Sequence, residues 1–173
     1  SAPRTPPGPR APRRSPPPTA FHPRSARPVP RQRVRDGSDS ATAEGRPIKP
    51  NTGLRKGIND GGRLDLVDFA RDNGHTLRVI EYMDVGATNG WRMDEVLPSA
   101  AVVARIHGEH PLLAMPANDA GETAQRWRYA DGSGQTDVIS SVTQPFCRDC
   151  NRARLTTESY HFMSLFATHG PHF

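Results

Sequence analysis

Residues 61–83 read GGRLDLVDFARDNGHTLRVIEYM and predict a helix followed by a strand. The helix is expected over Gly61–Asn73, with candidate apolar positions at Leu64, Leu66, Val67 and Phe69. The strand is expected over Thr76–Met83, a segment rich in branched and aromatic residues. A helix that leads directly into a strand of this kind is typical of an α/β fold.

The flanking segments extend the same alternation in both directions. Pro47–Asn51 predicts a short strand before the helix, and Glu95–His107 predicts a second helix after the central strand. This β-α-β order favours a parallel sheet segment. Farther along, turn residues separate three predicted strands of hairpins, at Thr123–Tyr129, Asp137–Val142 and Arg152–Thr157. We therefore expect a parallel segment followed by a small antiparallel appendage.

The first 35 residues differ sharply from the rest of the chain. They hold eleven prolines, nine arginines and no acidic residue. The net charge of the whole chain is +5, so residues 36–173 carry a net charge of −4. This composition predicts that residues 1–45 are a disordered arm. Such an arm could bind nucleic acid or anionic membranes, or serve as an organellar transit peptide. The alternatives are a solvated tail and sequence read in an altered frame. The sequence contains no run of eighteen apolar residues, so no transmembrane helix is predicted.

The segment SVTQPFCRDCNRAR, residues 141–154, contains both cysteines of the chain. A C-x-x-C pair brings Cys147 and Cys150 to one side of a tight loop, as zinc or an iron–sulfur cluster requires, and redox loops use the same spacing. Arg152 and Arg154 alternate directly afterwards and suit bidentate binding of a phosphate. The pattern therefore indicates a soft-metal site beside an anion site.

The longer string around the cysteines, Val138–Leu155, resembles the C-terminal cluster segment of the GTP 3′,8-cyclase family. These radical S-adenosylmethionine enzymes act in molybdenum-cofactor biosynthesis. Lys56–Asp60 (KGIND), Arg78–Trp91 (RVIEYMDVGATNGW) and Arg126–Tyr129 (RWRY) resemble the same family in the same order. The resemblance extends over roughly residues 46–167.

The resemblance implies an incomplete α/β (TIM-like) barrel, closed by a C-terminal extension that binds a second 4Fe-4S cluster. Residues 1–45 are then the disordered arm, 46–110 a partial barrel segment and 111–173 the iron–sulfur and GTP-binding extension. Open strand edges in a partial barrel lead us to expect a homo-oligomer, or a partner that supplies the missing strands. GTP is the expected small-molecule partner. Cluster chemistry needs reduced cysteines, which fits the cytoplasm or, in a eukaryote, the mitochondrial matrix, and we expect the cytoplasm.

Individual site residues follow from the same resemblance. Cys147 and Cys150 match two of the three cluster ligands, whereas Ser164 occupies the position of the third family cysteine. Since a serine hydroxyl is a harder and poorly ionised ligand, we expect it to impair assembly of the cluster.

The nucleotide and cofactor positions are also implied by the family. Arg152, Ala153 and Arg154 match its GTP-binding R-x-R, and Lys49 matches a GTP-contacting lysine. Met83 matches a methionine of the S-adenosylmethionine pocket. The structural alternatives are that the arginines mark the wet face of an edge strand, that Lys49 is an exposed boundary residue and that Met83 packs in the core.

Two further features bear on activity. Glu81 and Asp84 are three apart and face opposite sides of a strand, so they are not expected to act as an acid–base pair. The family's N-terminal C-x-x-x-C-x-x-C motif and its Gly-Gly tail are absent from this sequence, since no cysteine precedes Cys147 and the chain ends at Phe173. We therefore expect a truncated relative that is inactive alone.

Two other readings of the chain stay open. One is a zinc-binding interaction module, with Cys147, Cys150 and His161 as ligands and the basic arm as a nucleic-acid-binding segment. The other is a product without a stable fold.

Overall fold

The fold is given by a computed structural model that describes residues 31–84, 90–148, 150, 152–164, 167 and 169–172. Its helices and strands are α1 (Arg31–Ala43), β1 (Asn51–Leu54), α2 (Arg63–Asp72), β2 (Leu77–Glu81), α3 (Ser99–Glu109), β3 (Leu112–Ala114), β4 (Gln125–Tyr129), β5 (Gln135–Ile139), β6 (Arg154–Leu155) and β7 (His161–Phe162). None of the helices in these residues is long and apolar enough to cross a membrane.

Five of the strands form one mixed sheet in the order β1-β2-β5-β4-β3. Strands β1, β2 and β5 run parallel, whereas β4 is antiparallel to both β5 and β3. Helix α2 supplies the crossover that connects the parallel neighbours β1 and β2. Strands β6 and β7 pair separately as a short antiparallel ribbon. The predicted α/β class is therefore confirmed.

The hydrophobic core forms where α2 and α3 contact one face of the sheet. Every second residue of β2 is buried, and Val79 lies opposite the equally buried Val138 of β5. Val67 of α2 and Ile106 of α3 belong to the same buried cluster. Each such side chain contributes about 1.5–3 kcal/mol by leaving water, so this layer holds the parallel strands in place.

The predicted helices and the central strand are found with modest changes in their ends. Helix α2 confirms the helix expected over Gly61–Asn73, and β2 confirms the strand expected over Thr76–Met83. The helix expected over Glu95–His107 instead begins at Ser99. Pro98 has an extended backbone (φ −58°, ψ 136°). A helix tolerates proline at its start but not in its interior, so α3 begins only after Pro98.

The first predicted strand, Pro47–Asn51, lies too early, because β1 begins where that prediction ends. Pro50 has no N–H and cannot donate to a strand ladder. The carbonyls of Ile48 and Pro50 nevertheless accept hydrogen bonds from the N–H groups of Thr76 and Arg78, at 3.0 and 2.8 Å. This segment therefore lies along β2 as an acceptor without forming a regular strand.

The predicted antiparallel appendage is found in part: Arg152–Thr157 contains β6 of the small antiparallel ribbon, whereas the other two predicted strands lie in the main sheet. Strands β4 and β5 form the expected hairpin, and Gly132 and Gly134 in its turn adopt positive φ angles of 76° and 135°. Strand β5, however, lies between β2 and β4 and pairs with both. Its residues 136–139 are all buried, which suits a central strand better than an edge strand.

Two predictions about the larger architecture stay predictions. The first is the domain division at residue 110, although strands from both sides of that point share one sheet. The second is that this sheet is part of an incomplete barrel.

Helix α1 corrects the predicted extent of the disordered arm. The prediction of disorder to residue 45 is wrong for Arg31–Ala43, which form a helix of 13 residues. Its sequence follows the last proline of the arm, and Ser38, Ser40 and Thr42 each donate a side-chain hydrogen bond to the carbonyl four residues earlier. The predicted disorder of residues 1–30 concerns a segment outside the described residues.

Candidate nucleotide and cluster site

The site is positioned at the edge of the sheet where the parallel strands end. The carboxyl ends of β1, β2 and β5 meet at this edge, where open α/β sheets bind their ligands. The chain leaves β5 through Ser140–Cys150, which we call the cysteine loop; its residue 149 lies outside the described part of the chain. The sequence signal at the two cysteines is therefore placed beside the end of a buried central strand.

Glu81 fastens the first part of the cysteine loop to the sheet. Its side chain ends β2 and is only 2% exposed. Its carboxylate accepts hydrogen bonds from the backbone N–H of Val142 and of Thr143, both at 2.8 Å, and from the Thr143 hydroxyl at 2.5 Å. A fourth comes from the backbone N–H of Ser99 at the start of α3, at 2.7 Å.

These contacts decide the ionisation state of Glu81. Burial alone raises the pKa of Glu81, but hydrogen bonds from the Thr143 hydroxyl and the three backbone N–H groups lower it, and the net pKa lies below its ordinary value. The group is therefore held as a carboxylate.

The rest of the cysteine loop is held by a second contact. Gln125 of β4 donates from its Nε2 to the Gln144 Oε1 at 2.7 Å, and the Gln144 N–H contacts the Ser140 carbonyl at 3.3 Å. Phe146 follows with a half-buried ring. The loop thus leaves the sheet along a fixed course before it reaches Cys147.

The two cysteines are free thiols with different surroundings. Cys147 is exposed and Cys150 is half-buried. The Arg152 Nε donates to the Cys150 Sγ at 3.1 Å, and the same guanidinium stacks over the Phe146 ring at 5.1 Å from its centre. The hydrogen bonds from Arg152, first from its side chain and then from its backbone, hold the pKa of Cys150 below the usual thiol range. This environment favours the thiolate that a soft metal requires.

The donor set fits the family's cluster only in part. Among the described residues, no group of three or more His, Cys, Asp or Glu side chains is arranged to hold a metal ion. Cys147 and Cys150 supply two sulfur donors, and Ser164, which is exposed just beyond β7, supplies only a hydroxyl. The oxygen of an uncharged serine is a poor ligand for the iron of a cluster. These residues therefore provide two thiolate ligands and not the three that the family resemblance implies. The same observation leaves the zinc site with His161 without support.

The arginines that follow the cysteines are exposed. Arg152 precedes β6, and Arg154 begins that strand opposite Phe162 of β7. Ala153 lies between them and is exposed as well. The strand expected over Arg152–Thr157 is reduced to two residues. Of the predicted GTP ligands, the structure thus brings Arg152 to a cysteine and leaves Arg154 facing solvent.

Lys49 is attached to a buried carboxylate that the sequence did not single out. Asp137 of β5 is 0% exposed, and its Oδ2 accepts from Arg78 at 2.9 Å (Nη2) and 3.3 Å (Nε). The Lys49 Nζ lies 3.6 Å from the same oxygen, and its side chain is 46% exposed. The ammonium is therefore held by a strand of the central sheet while remaining accessible to an anion.

Met83 lies two residues beyond β2 and is half-buried in irregular backbone. Residues 85–89 of the family-like segment, which follow it directly, lie outside the described part of the chain. Its contact with S-adenosylmethionine stays a prediction.

A cavity of about 430 Å³ opens beside the cysteine loop. Gln144 and Phe146 of the loop form one wall of this cavity. Other lining residues come from β3, β4 and the connection between them, including Ala114, Met115 and Trp127. Polar side chains such as Glu122 and Arg126 line the cavity as well, so its surface is mixed.

Comparison with known proteins identifies the family. The sequence profile described as Molybdenum Cofactor Synthesis C matches residues 75–173. The chain belongs to this family.

Several curated relatives of this chain are named GTP 3′,8-cyclase. That of Acidothermus cellulolyticus is 50% identical over 143 residues, which are 82% of this chain and 40% of that protein. Those of Parasynechococcus marenigrum and Xanthomonas axonopodis pv. citri are 50% and 46% identical over 123 residues, 71% of this chain and 35% and 37% of those proteins. The chain therefore spans about two fifths or less of the length of these relatives.

Proposed function

We propose that this chain carries the GTP-binding and second-cluster portion of a GTP 3′,8-cyclase in molybdenum-cofactor biosynthesis. The observation that carries the proposal is the contact between Arg152 and Cys150, which joins a guanidinium to a thiol in a loop anchored on the sheet. The choice of GTP as the ligand rests on the curated relatives, which are named GTP 3′,8-cyclase. In the same proposal the mixed sheet is the last part of an incomplete barrel.

The nucleotide roles are assigned to positively charged groups. Arg154 is exposed and suits a bidentate contact with a phosphate, since its planar guanidinium presents parallel N–H donors. Lys49 adds a point charge whose position is set by Asp137. Ala153 offers its backbone groups between the two arginines.

The metal role is assigned to Cys147 and Cys150, with Ser164 as the weak third position. An iron–sulfur cluster at such a site would supply an iron with an open position for the base. In this proposal Arg154, Ala153 and Lys49 hold the nucleotide close to the cysteine loop.

Activity of the 173-residue chain by itself is expected to stop at binding. The proposal for these 173 residues concerns binding, because both of their cysteines, Cys147 and Cys150, lie in the cysteine loop. A partner, or a second copy, that adds a strand beside β1, an edge strand of the sheet in the described part of the chain, belongs to the same proposal. Mixing the chain with GTP and S-adenosylmethionine is expected to give no turnover.

Binding of GTP to purified protein tests the assignment. Calorimetric titration with GTP is expected to show saturable binding that weakens by about tenfold in Arg154→Met, the loss of roughly one charge-assisted pair. Arg148→Met is the matched control, since Arg148 is an exposed arginine of the same loop. Equal weakening in both variants, or no saturable binding in the unaltered protein, would refute the proposal.

A further inference from the structure

Glu81, at the end of β2, has a buried carboxylate that is held by neutral hydrogen-bond donors. It is almost completely buried, and the donors recorded for its carboxylate are neutral: three backbone N–H groups and one hydroxyl. A buried carboxylate without such donors would cost several kcal/mol. Its charge is therefore compensated by directed hydrogen bonds, which fix the positions of the groups that make them.

The four hydrogen bonds divide between the two carboxylate oxygens. Oε2 accepts from the backbone N–H groups of Val142 and Thr143. Oε1 accepts from the Thr143 hydroxyl and from the backbone N–H of Ser99, the first residue of α3. One carboxylate thus joins β2, the start of a helix and the cysteine loop, which are separated by 18 and about 60 residues in the sequence.

The joined segment leads directly to the thiols. Val142 and Thr143 lie in the same short loop as Cys147, and the Gln144–Gln125 contact limits the freedom of the residues between them. Without the carboxylate, the N–H groups of this segment would need other acceptors, and the loop would detach from the sheet. The position of the thiols relative to the strand ends therefore depends on Glu81.

We propose that Glu81 is a positioning residue that fixes the cysteine loop against the edge of the sheet where β2 and β5 end. The hydrogen-bond geometry supports this without reference to any ligand. Only its consequence for metal loading rests on the proposed function.

An isosteric substitution distinguishes this role from simple filling of space. Glu81→Gln keeps the shape but turns one acceptor oxygen into an NH₂ donor, which then faces N–H groups instead of accepting from them. Thr143→Val is a milder second variant, because it removes the hydroxyl donor and leaves both loop amides in place. Glu109→Gln is the control, since Glu109 is an exposed glutamate of α3.

Amide hydrogen exchange measured by NMR provides the first readout. In Glu81→Gln the N–H groups of Val142 and Thr143 are expected to exchange at least about tenfold faster, whereas the β2 amides keep their rates. Thr143→Val is expected to show a smaller change at the same two amides. Unchanged rates at both would overturn the proposal, and so would an equal increase throughout the sheet, which would indicate general loss of stability.

Metal loading provides the second readout. After anaerobic reconstitution with iron and sulfide, Glu81→Gln is expected to hold less iron per chain than Glu109→Gln, with a correspondingly weaker visible spectrum. Where the unaltered protein does take up iron, equal loading of the two variants would overturn the positioning role. If the unaltered protein takes up no iron, the proposed function fails, whereas the exchange rates still decide the role of Glu81.

Discussion

Replacing Arg78 by methionine tests the electrostatics of the sheet. Arg78 donates two hydrogen bonds to the Oδ2 of Asp137, a fully buried carboxylate in a central strand. The substitution leaves that carboxylate with the Lys49 ammonium at 3.6 Å, while its buried Oδ1 has no hydrogen-bond partner among the described residues. A buried charge would thus lose its main compensation.

The expected loss of stability follows from the exposure of the groups. Removing one partner of a buried ion pair costs about 3–5 kcal/mol, and Lys49, which stays in place but is half-exposed, offsets part of this. We therefore expect Arg78→Met to lower the free energy of unfolding by about 2–3 kcal/mol. In an Asp137→Asn background, where no buried charge remains, the same change is expected to cost about 1 kcal/mol or less.

Urea denaturation at neutral pH, followed by circular dichroism, measures both values. Arg105→Met is the control, because Arg105 pairs with Glu109 on the surface and such pairs contribute about 0.5 kcal/mol or less. A loss below about 1 kcal/mol in Arg78→Met would refute the reasoning. An equal loss in the Asp137→Asn background would do so as well.

Two further predictions use the pKa shifts at the site. Hydrogen bonds keep the pKa of Glu81 low despite burial, so its contribution to stability is complete above the unfolded pKa of about 4.3 and is lost as the pH falls through the lower folded value. Urea denaturation at several acidic pH values should show this acid limb in the unaltered protein and a flatter one in Glu81→Gln; identical limbs would contradict it. Arg152→Met removes the hydrogen bond that lowers the pKa of Cys150, so alkylation of Cys150 near neutral pH should slow severalfold while Cys147 keeps its rate. Mass spectrometry of peptides labelled with iodoacetamide separates the two thiols, and parallel slowing of both would argue against the contact.

The elements that the sequence predicted well depend on local patterns. The helix at α2 and the strand at β2 follow from the periodicity of their own residues. The hairpin of β4 and β5 follows from the glycines at 132 and 134, which its turn requires. The C-x-x-C spacing and the longer family-like string around it indicate a site at the two cysteines, and their role as ligands stays a prediction.

The features that the sequence did not predict depend on partners far along the chain. Strand β5 pairs with β2, so Arg78 meets Asp137 across 59 residues of sequence. Glu81 meets Thr143 across 62 residues. A buried carboxylate resembles an exposed one in the sequence until its donors are known, so the anchoring of the cysteine loop and the placement of Lys49 needed the structure.

The iron content of the protein after anaerobic reconstitution tests the central claim most directly, when unaltered chain is compared with Ser164→Cys. The account predicts that restoring a third sulfur donor raises iron per chain and strengthens the visible absorption of an iron–sulfur cluster. Ser40→Cys, which adds an exposed cysteine in α1, is expected to match the unaltered protein. Equal iron in all three proteins, or zinc alone in Ser164→Cys, would contradict the assignment of a cluster site to this loop.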